Sequence, residues 1–350
     1  MKYHLALGRK IDLDGIDRDA KLGKCPRHVL RALRDRLNAT VHYPDGEAIS
    51  SLDKLRSKIS SKPEHWAAAR KLSEQVSSDD VIFCTGEDIG IPVAALCGAK
   101  PDRPKIVVYF HNIDRLRGRV ALKLFGLADK IDLFTACASP QTNFVRSYLN
   151  IPESRILVLL EQTDTQFFTP GPVSADKKRQ TVVSVGLEKR DYRVLAEATA
   201  DLDVDVKISG FSKDAKALSQ AFPDTMPENM SRKFYEWPDL VQLYRDADVV
   251  AVCLTDNKYA AGVQGLMEPM ACKRPVAITR TQGMVDYLAP DIAKVVEVGD
   301  AAALREAIVY LLKNPQEAQA QAQRGYEMIV NHHNSEHYVD VLVEKLRSFQ

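Results

Sequence analysis

Three stretches of this 350-residue chain hold side chains whose types and spacing could do chemistry. In "VVSVGLEKRDYRVLAEA" an apolar run ends at Gly186, and a short loop then carries Lys189 and Arg190 ahead of Asp191, which can cap the next helix. A basic residue just before a helix start joins a fixed cation to free backbone N–H groups and the positive end of the helix dipole. A phosphate suits that setting, and Arg190 can grip it with two parallel hydrogen bonds. The competing reading is a pair of solvated loop charges. The second stretch is "TDNKYAAGVQGLMEPMACKRPVAIT". Its small residues Ala260, Ala261 and Gly262 let backbone amides come close to a ligand, and Val263 and Gln264 follow them. Pro269 is tolerated if the helix starts near Gly265, which puts Glu268 in the first turn, facing a cleft. A carboxylate cannot help bind phosphate, but it can accept two hydrogen bonds from a vicinal diol such as a ribose. Alternatively, it only complements the helix dipole.

The third stretch, "KIVVYFHNIDRLRGR", ends an apolar strand at His111, with Asn112 next. An unprotonated imidazole there can hydrogen-bond a sugar hydroxyl or a developing charge, although a lone His is more often structural. Glu87 and Asp88 in "CTGEDIGIP" also follow a strand. They could bind acceptor hydroxyls, or cap a helix beginning near Ile91.

Alternating strands and helices must position these groups. Strand runs are "HLAL", "ATVHY", "DVIFC", "KIVVYF", "LFTAC" and "RILVLL", then "TVVSVG", "VDVKIS", "DVVAVCL", "PVAIT" and "AKVVEV". Between them lie helical patterns such as "PRHVLRALRDRL" and "SPQTNFVRSYL", the latter with Ser139 as expected N-cap and Pro140 in the first helical position. Asp300 is the expected N-cap of "AAALREAIVYLLKN". Strand–helix alternation means parallel sheets. The Pro- and Gly-bearing, basic segment "TQFFTPGPVSADKKRQ" has linker composition. The expected organisation is therefore two facing, doubly wound α/β domains, 1–168 and 180–334, with a final helix over 335–350 returning to the first. Open parallel sheets bind ligands beyond the carboxyl ends of their strands.

The totals narrow the partners. Net charge is +1, which speaks against nucleic acid. The six cysteines form no C-x-x-C pair, and no signal peptide or membrane-length apolar run is visible, so a cytoplasmic setting is expected. His332, His333 and His337 lack acidic or thiol partners at useful spacing, so they are expected at the surface and no metal site is expected. "RLRGRVALKLFGLADK" is basic and amphipathic. It could dock on anionic lipid as a peripheral membrane contact, or be a core-facing helix with a solvated basic face.

"SVGLEKRDYRVLAEA", "LVQLYRDADVVAVCL" and "LMEPMACKRPVAIT" together resemble the C-terminal domain of GT-B glycosyltransferases, specifically the large retaining family 4. "RILVLLEQTDTQFFTPG" resembles the segment ending that family's N-terminal domain. The resemblance spans roughly residues 80 to 330. It implies a GT-B fold with two Rossmann-like domains and a nucleoside diphosphate sugar donor, UDP- or GDP-linked. Transfer to an unknown glycan, lipid or small-molecule acceptor would retain anomeric configuration, with no cofactor and no obligatory metal. Carried over residue by residue, His111, Arg190 and Glu268 are the catalytic candidates. The donor side adds Gly186, Lys189, Trp237, Ala261, Gly262, Val263 and Gln264, with the base around Tyr235 to Pro238. The acceptor side is Glu87, Asp88 and Asn112. Three positions depart from the family pattern. Ala260 stands where a first glutamate usually contacts the donor sugar, and Leu187 stands where an arginine is common. The first loop, "GRKIDLDGIDRDAKLGK", is long and charged instead of opening with paired glycines. Two rival readings remain: a non-catalytic sugar-nucleotide-binding protein, and a nucleotide-sugar epimerase on the same scaffold.

Overall fold

The computed structural model describes residues 1–211 and 220–349. The chain divides into two compact units. The first holds Met1–Gly15, His28–Leu160 and the chain from Tyr338 onward, and the second holds Ile16–Arg27 and Glu161–His337.

Six parallel strands form the first unit's sheet: β1 (Lys2–Ala6), β2 (Thr40–His42), β3 (Asp80–Cys84), β4 (Lys105–Phe110), β5 (Leu133–Ala136) and β6 (Ile156–Val158). Their order is β2-β1-β3-β4-β5-β6. The second sheet is also parallel, ordered β12-β11-β10-β7-β8-β9. Its strands are β7 (Thr181–Val185), β8 (Asp205–Ser209), β9 (Met230–Arg232), β10 (Val249–Val252), β11 (Val276–Thr279) and β12 (Lys294–Val296). Central strands such as β3 and β10 are buried along their whole length, which is why they appear in the sequence as unbroken apolar runs.

The helices in chain order are α1 (Leu13–Lys21), α2 (Val29–Leu37), α3 (Ser51–Ser57), α4 (Pro63–Ser73), α5 (Glu87–Leu96), α6 (Leu116–Leu124) and α7 (Ser139–Leu149). Then come α8 (Tyr192–Thr199), α9 (Trp237–Asp246), α10 (Val263–Ala271), α11 (Ala301–Lys313), α12 (Pro315–His332) and α13 (Ser335–Arg347). Among the described residues, no helix is long and apolar enough to cross a membrane.

Strand order reverses between β1 and β3 in one sheet and between β7 and β10 in the other. At such a reversal the following helices pass to opposite faces and leave a crevice at the strands' carboxyl ends. All three chemically marked stretches follow strands that flank these points or, for β4, lie next to them.

Several expected boundaries moved. The long charged loop after β1 contains α1, whose one deeply buried residue is Leu13; its few apolar residues stand among many charges. β9 gave no signal because Ser231 and Arg232 are exposed and only Met230 is buried. Ser139 is not an N-cap: α7 starts at Ser139, Ala138 precedes it, and no side chain caps it. Asp300 caps α11 as expected, accepting from the Ala303 N–H at 2.8 Å. His333 is buried, not superficial, and its Nδ1 pairs with the Glu161 carbonyl at 3.1 Å.

The expected first domain, 1–168, also changes. The second unit already begins at Glu161 and takes in Ile16–Arg27. The reason is local: buried Asp164 receives the Arg27 backbone N–H at 2.7 Å and its guanidinium Nη2 at 2.6 Å, and Phe168 packs on Tyr244. At the other end the last helix joins the first unit from Tyr338, where Asp340 pairs with Arg36 and Arg347 bonds the Arg36 carbonyl.

Removing the Arg27 guanidinium leaves the Asp164 carboxylate, whose side chain is only 2% exposed, without its cation. Arg27→Met should therefore lower the unfolding free energy by about 2 kcal/mol in a urea titration. Lys24→Met, which loses only a solvated 3.7 Å pair with Asp19, should change it by less than about 0.5 kcal/mol.

Candidate functional site

The loops after β7 and β10 are laced together. Asp191 N–H donates to the Cys253 carbonyl at 3.0 Å, and Thr255 N–H donates to the Lys189 carbonyl at 2.8 Å. Lys189 takes a left-handed φ of 55° to make this turn. Asp191 accepts from the Val194 N–H and so caps α8.

Between these loops sits Arg190, 4% exposed. Its Nε donates to the Val185 carbonyl at 2.9 Å and its Nη1 to the Glu188 carbonyl at 3.1 Å. The guanidinium lies over the first turn of α10. A Cβ on Gly265 would stand 2.9 Å from Nη2, and one on Gly262 would meet Leu254 at 2.7 Å. Gly262 also has a φ of +96°, so its place demands glycine twice over. No side chain caps this helix start. Among the described residues, no carboxylate forms an ion pair with Arg190. A buried cation satisfied only by carbonyls, at the amide end of a helix, is chemically suited to receive an anion.

Glu268 is also buried, at 7% exposure. It is not in the first turn: α10 starts at Val263, two residues earlier than Pro269 led us to expect, so Glu268 falls in the second turn. Pro269 is then inside the helix, where its ring nitrogen forgoes the bond to the Gly265 carbonyl. Tyr244 OH donates to Glu268 Oε2 at 2.7 Å. Burial pushes the Glu268 carboxyl up to about 7, against the opposing pull of Tyr244 and Arg190.

The other expected donor residues divide. Ala261 and Val263 are buried in the turn into α10, donating to the Tyr259 and Ala260 carbonyls at 2.6 and 3.3 Å. Gln264 sits on the exposed side and bonds the Gln162 carbonyl through Nε2 at 3.0 Å. Trp237, 40% exposed, opens α9 two turns before Tyr244, with Phe167 and Phe168 edge-on to its ring. Leu187 and Ala260, at the departing positions, are both buried.

The first unit assembles its own set. His111 is exposed at the end of β4, and its Nε2 lies 3.1 Å from the Thr85 carbonyl. A carbonyl can only accept, so Nε2 is the donor, and in the neutral ring Nδ1 is the acceptor. Glu87 neither caps a helix near Ile91 nor offers free oxygens. It is the first residue of α5, and it accepts from the backbone N–H of His111 at 2.9 Å and of Asn112 at 3.2 Å, and from Arg115 at 3.3 Å. It holds the turn that presents His111.

Asp88 has a side chain 53% exposed and lies across the end of β1, where a Cβ on Gly8 would come within 2.0 Å of its Oδ2. His65 stands behind it, bonding the Gly8 carbonyl at 2.9 Å. Glu87 and Asn112 also line a cavity of about 280 Å³ with Ser60, Ser61, Arg115 and Leu116.

Sequence reasoning missed Tyr244 and His65. Both are polar side chains at apolar-face positions of helices, and such a hydroxyl or imidazole implies a buried partner.

Residues 190–344 match the family model described as glycosyl transferase-like. No curated protein sequence is matched. Over 100% of this chain and 99% of its own, the sucrose-phosphate synthase of Thermosynechococcus elongatus superposes with a TM-score of 0.73 at 15% identity. Anabaena HepE, solved in complex with UDP and glucose, gives 0.71 at 16% identity over 99% of this chain and 100% of its own. The UDP-forming α,α-trehalose-phosphate synthase of Burkholderia vietnamiensis gives 0.71 at 13% identity over 99% and 98%. The fold they share with this chain is GT-B.

A raised acid fixes the sign of a pH effect. Between pH 4.5 and about 7 Glu268 is protonated in the folded chain but ionised when unfolded. Its stabilising contribution is present below that window and lost as pH rises through it, to an extent of roughly 3 kcal/mol at most. Glu268→Gln should flatten that part of the stability profile in denaturant titrations and be the more stable protein at pH 8.

Proposed function

Taking the chain as a protein of GT-B glycosyltransferase type, with a glycosyl transferase-like region over residues 190–344, we propose that it transfers a sugar from a nucleoside diphosphate donor. The observation that carries this reading is the buried, carboxylate-free Arg190 over the uncapped start of α10. A diphosphate supplies the missing negative charge. On this reading Glu268, about one and a half turns further along α10, accepts from the ribose hydroxyls. HepE is solved with UDP and the trehalose-phosphate synthase is UDP-forming, so UDP is the first nucleotide to try, ahead of GDP and ADP.

In the reaction the bond from the anomeric carbon to the diphosphate oxygen breaks. A new bond forms to an acceptor oxygen on the same face, and the acceptor's proton ends on the departing phosphate. Charge builds up on the leaving diphosphate, where Arg190 and the α10 amides stabilise it without calling on a metal or cofactor. His111, with Nδ1 as an acceptor, serves the sugar or the acceptor hydroxyl. The acceptor binds in the first unit, in the cavity beside Asn112 and near Asp88. We place the chain in the cytoplasm, a setting that six cysteines with no C-x-x-C pair suit.

At a hundred times its dissociation constant UDP should stabilise the protein by roughly 2.7 kcal/mol, read as a raised melting temperature. Arg190→Ala should weaken UDP binding roughly tenfold to a hundredfold. Glu268→Ala should weaken it too, and wild-type affinity should fall as pH drops below 7, where Glu268 takes up its proton. A wild-type protein indifferent to UDP, GDP and ADP would sink the donor-site reading. Binding without transfer or hydrolysis of any UDP-sugar would favour the non-catalytic reading, in which Ala260 marks a lost sugar contact.

A further inference from the structure

α6 does not bury its apolar residues as an ordinary amphipathic helix would. Ala121 and Leu122 face the core, while Leu116, Val120 and Leu124 are 79%, 45% and 60% exposed. At four-residue spacing the three form one row, spanning about 80° of the helix surface. α3 adds Leu52 and Leu55, exposed by 59% and 57%. The two elements are tied together: the Arg117 guanidinium donates to the carbonyls of Ser57, Lys58 and Ile59 at the end of α3, at 3.0 to 3.2 Å. Lys54, Lys58 and Lys62, on and just after α3, are exposed, as are Arg115, Arg119 and Lys123 on α6 and its N-cap. Arg115 and Arg119 are paired with Glu87 and Asp114, and Asp53 is held by Arg70, so among the described residues the cations of this set not engaged by an acid are Lys54, Lys58, Lys62 and Lys123. The basic surplus is local, in a chain whose net charge is +1.

We propose that the α3–α6 surface docks the first unit on an anionic lipid bilayer, with the leucine and valine row entering the headgroup boundary and the lysines meeting lipid phosphates. A row of bare aliphatic side chains edged by long cationic ones matches that boundary in both polarity and charge. A protein partner fits less well, because lysine is depleted from protein interfaces. Leu116 belongs both to the exposed row and to the lining of the 280 Å³ cavity. On the transferase reading, the acceptor class is therefore an amphiphile whose polar head enters the cavity while its chain stays in the membrane.

The test is co-sedimentation of the full chain with phosphatidylcholine vesicles, with and without phosphatidylglycerol. It needs no nucleotide, so it is independent of whether the donor site works. The wild type should bind only the anionic vesicles, and binding should weaken as salt is raised. Val120→Gln/Leu124→Gln should lower the apparent affinity at least tenfold, with far-ultraviolet circular dichroism and melting unchanged because both side chains are exposed. Lys54→Gln/Lys58→Gln should weaken binding and flatten its salt dependence. Failure of the wild type to sediment with anionic vesicles overturns the proposal. So does binding indifferent to the Val120/Leu124 change. A vesicle-free dimer that this change dissolves would assign the row to a second copy of the chain and equally overturn it.

Discussion

Burying a guanidinium without a carboxylate is the constraint around which the second unit is organised. Arg190 cannot give up its proton, and its desolvation must be offset by fixed acceptors. Two are backbone carbonyls of its own strand–loop segment, Val185 and Glu188. They are available because Gly186, with a φ of +105°, and Lys189 turn the chain back on itself. The loop stays in that shape because the β10 loop zips against it through Asp191 and Thr255. The glycines at 262 and 265 then follow from simple exclusion: any side chain would occupy the space the guanidinium and Leu254 already fill.

The first unit solves a related problem with opposite charge. Asp88 lies over the end of β1, which is open to it only because residue 8 has no side chain. Glu87, one residue earlier, gathers the amides of the β4–α6 turn. Adjacent acids thus diverge, one spent on architecture and one left half in solvent. The parallel between the units is topological, since both clusters stand where the strand order reverses. Neither needs a special fold, only the crevice that such a reversal leaves.

Strands buried on both faces were legible in the sequence because burial itself writes the apolar run. Val249–Val252 and Asp80–Cys84 could hardly be anything else. Elements that bury one residue or none, such as α1 and β9, write no such signature. Site residues followed the same logic. Arg190 and Glu268 were visible by type and place, but not what holds them. Pro269 pointed to a later helix start because a proline inside a helix normally costs a hydrogen bond. The chain accepts that cost at a residue fully packed in the core. Glu87 looked like a ligand residue because nothing in the sequence shows that a turn 24 residues later would claim both of its oxygens.

The Tyr244–Glu268 bond ties these threads together. A tyrosine hydroxyl cannot be buried alone, and neither can a carboxylate, so each supplies the other's partner. Yet one neutral donor does not repay the desolvation of a full negative charge, and Glu268 stays near 7 instead of falling back to its ordinary range. The free site is therefore poised between two protonation states at physiological pH. An incoming diol that donates two hydrogen bonds would select the ionised form, and a diphosphate settling on Arg190 would push the other way through its own negative charge. The position of α9, which carries Tyr244, thereby bears on the charge state of a residue on α10. That position in turn rests on the Phe168 packing and on the Thr169–Arg245 bonds that fix the chain's entry into the second unit.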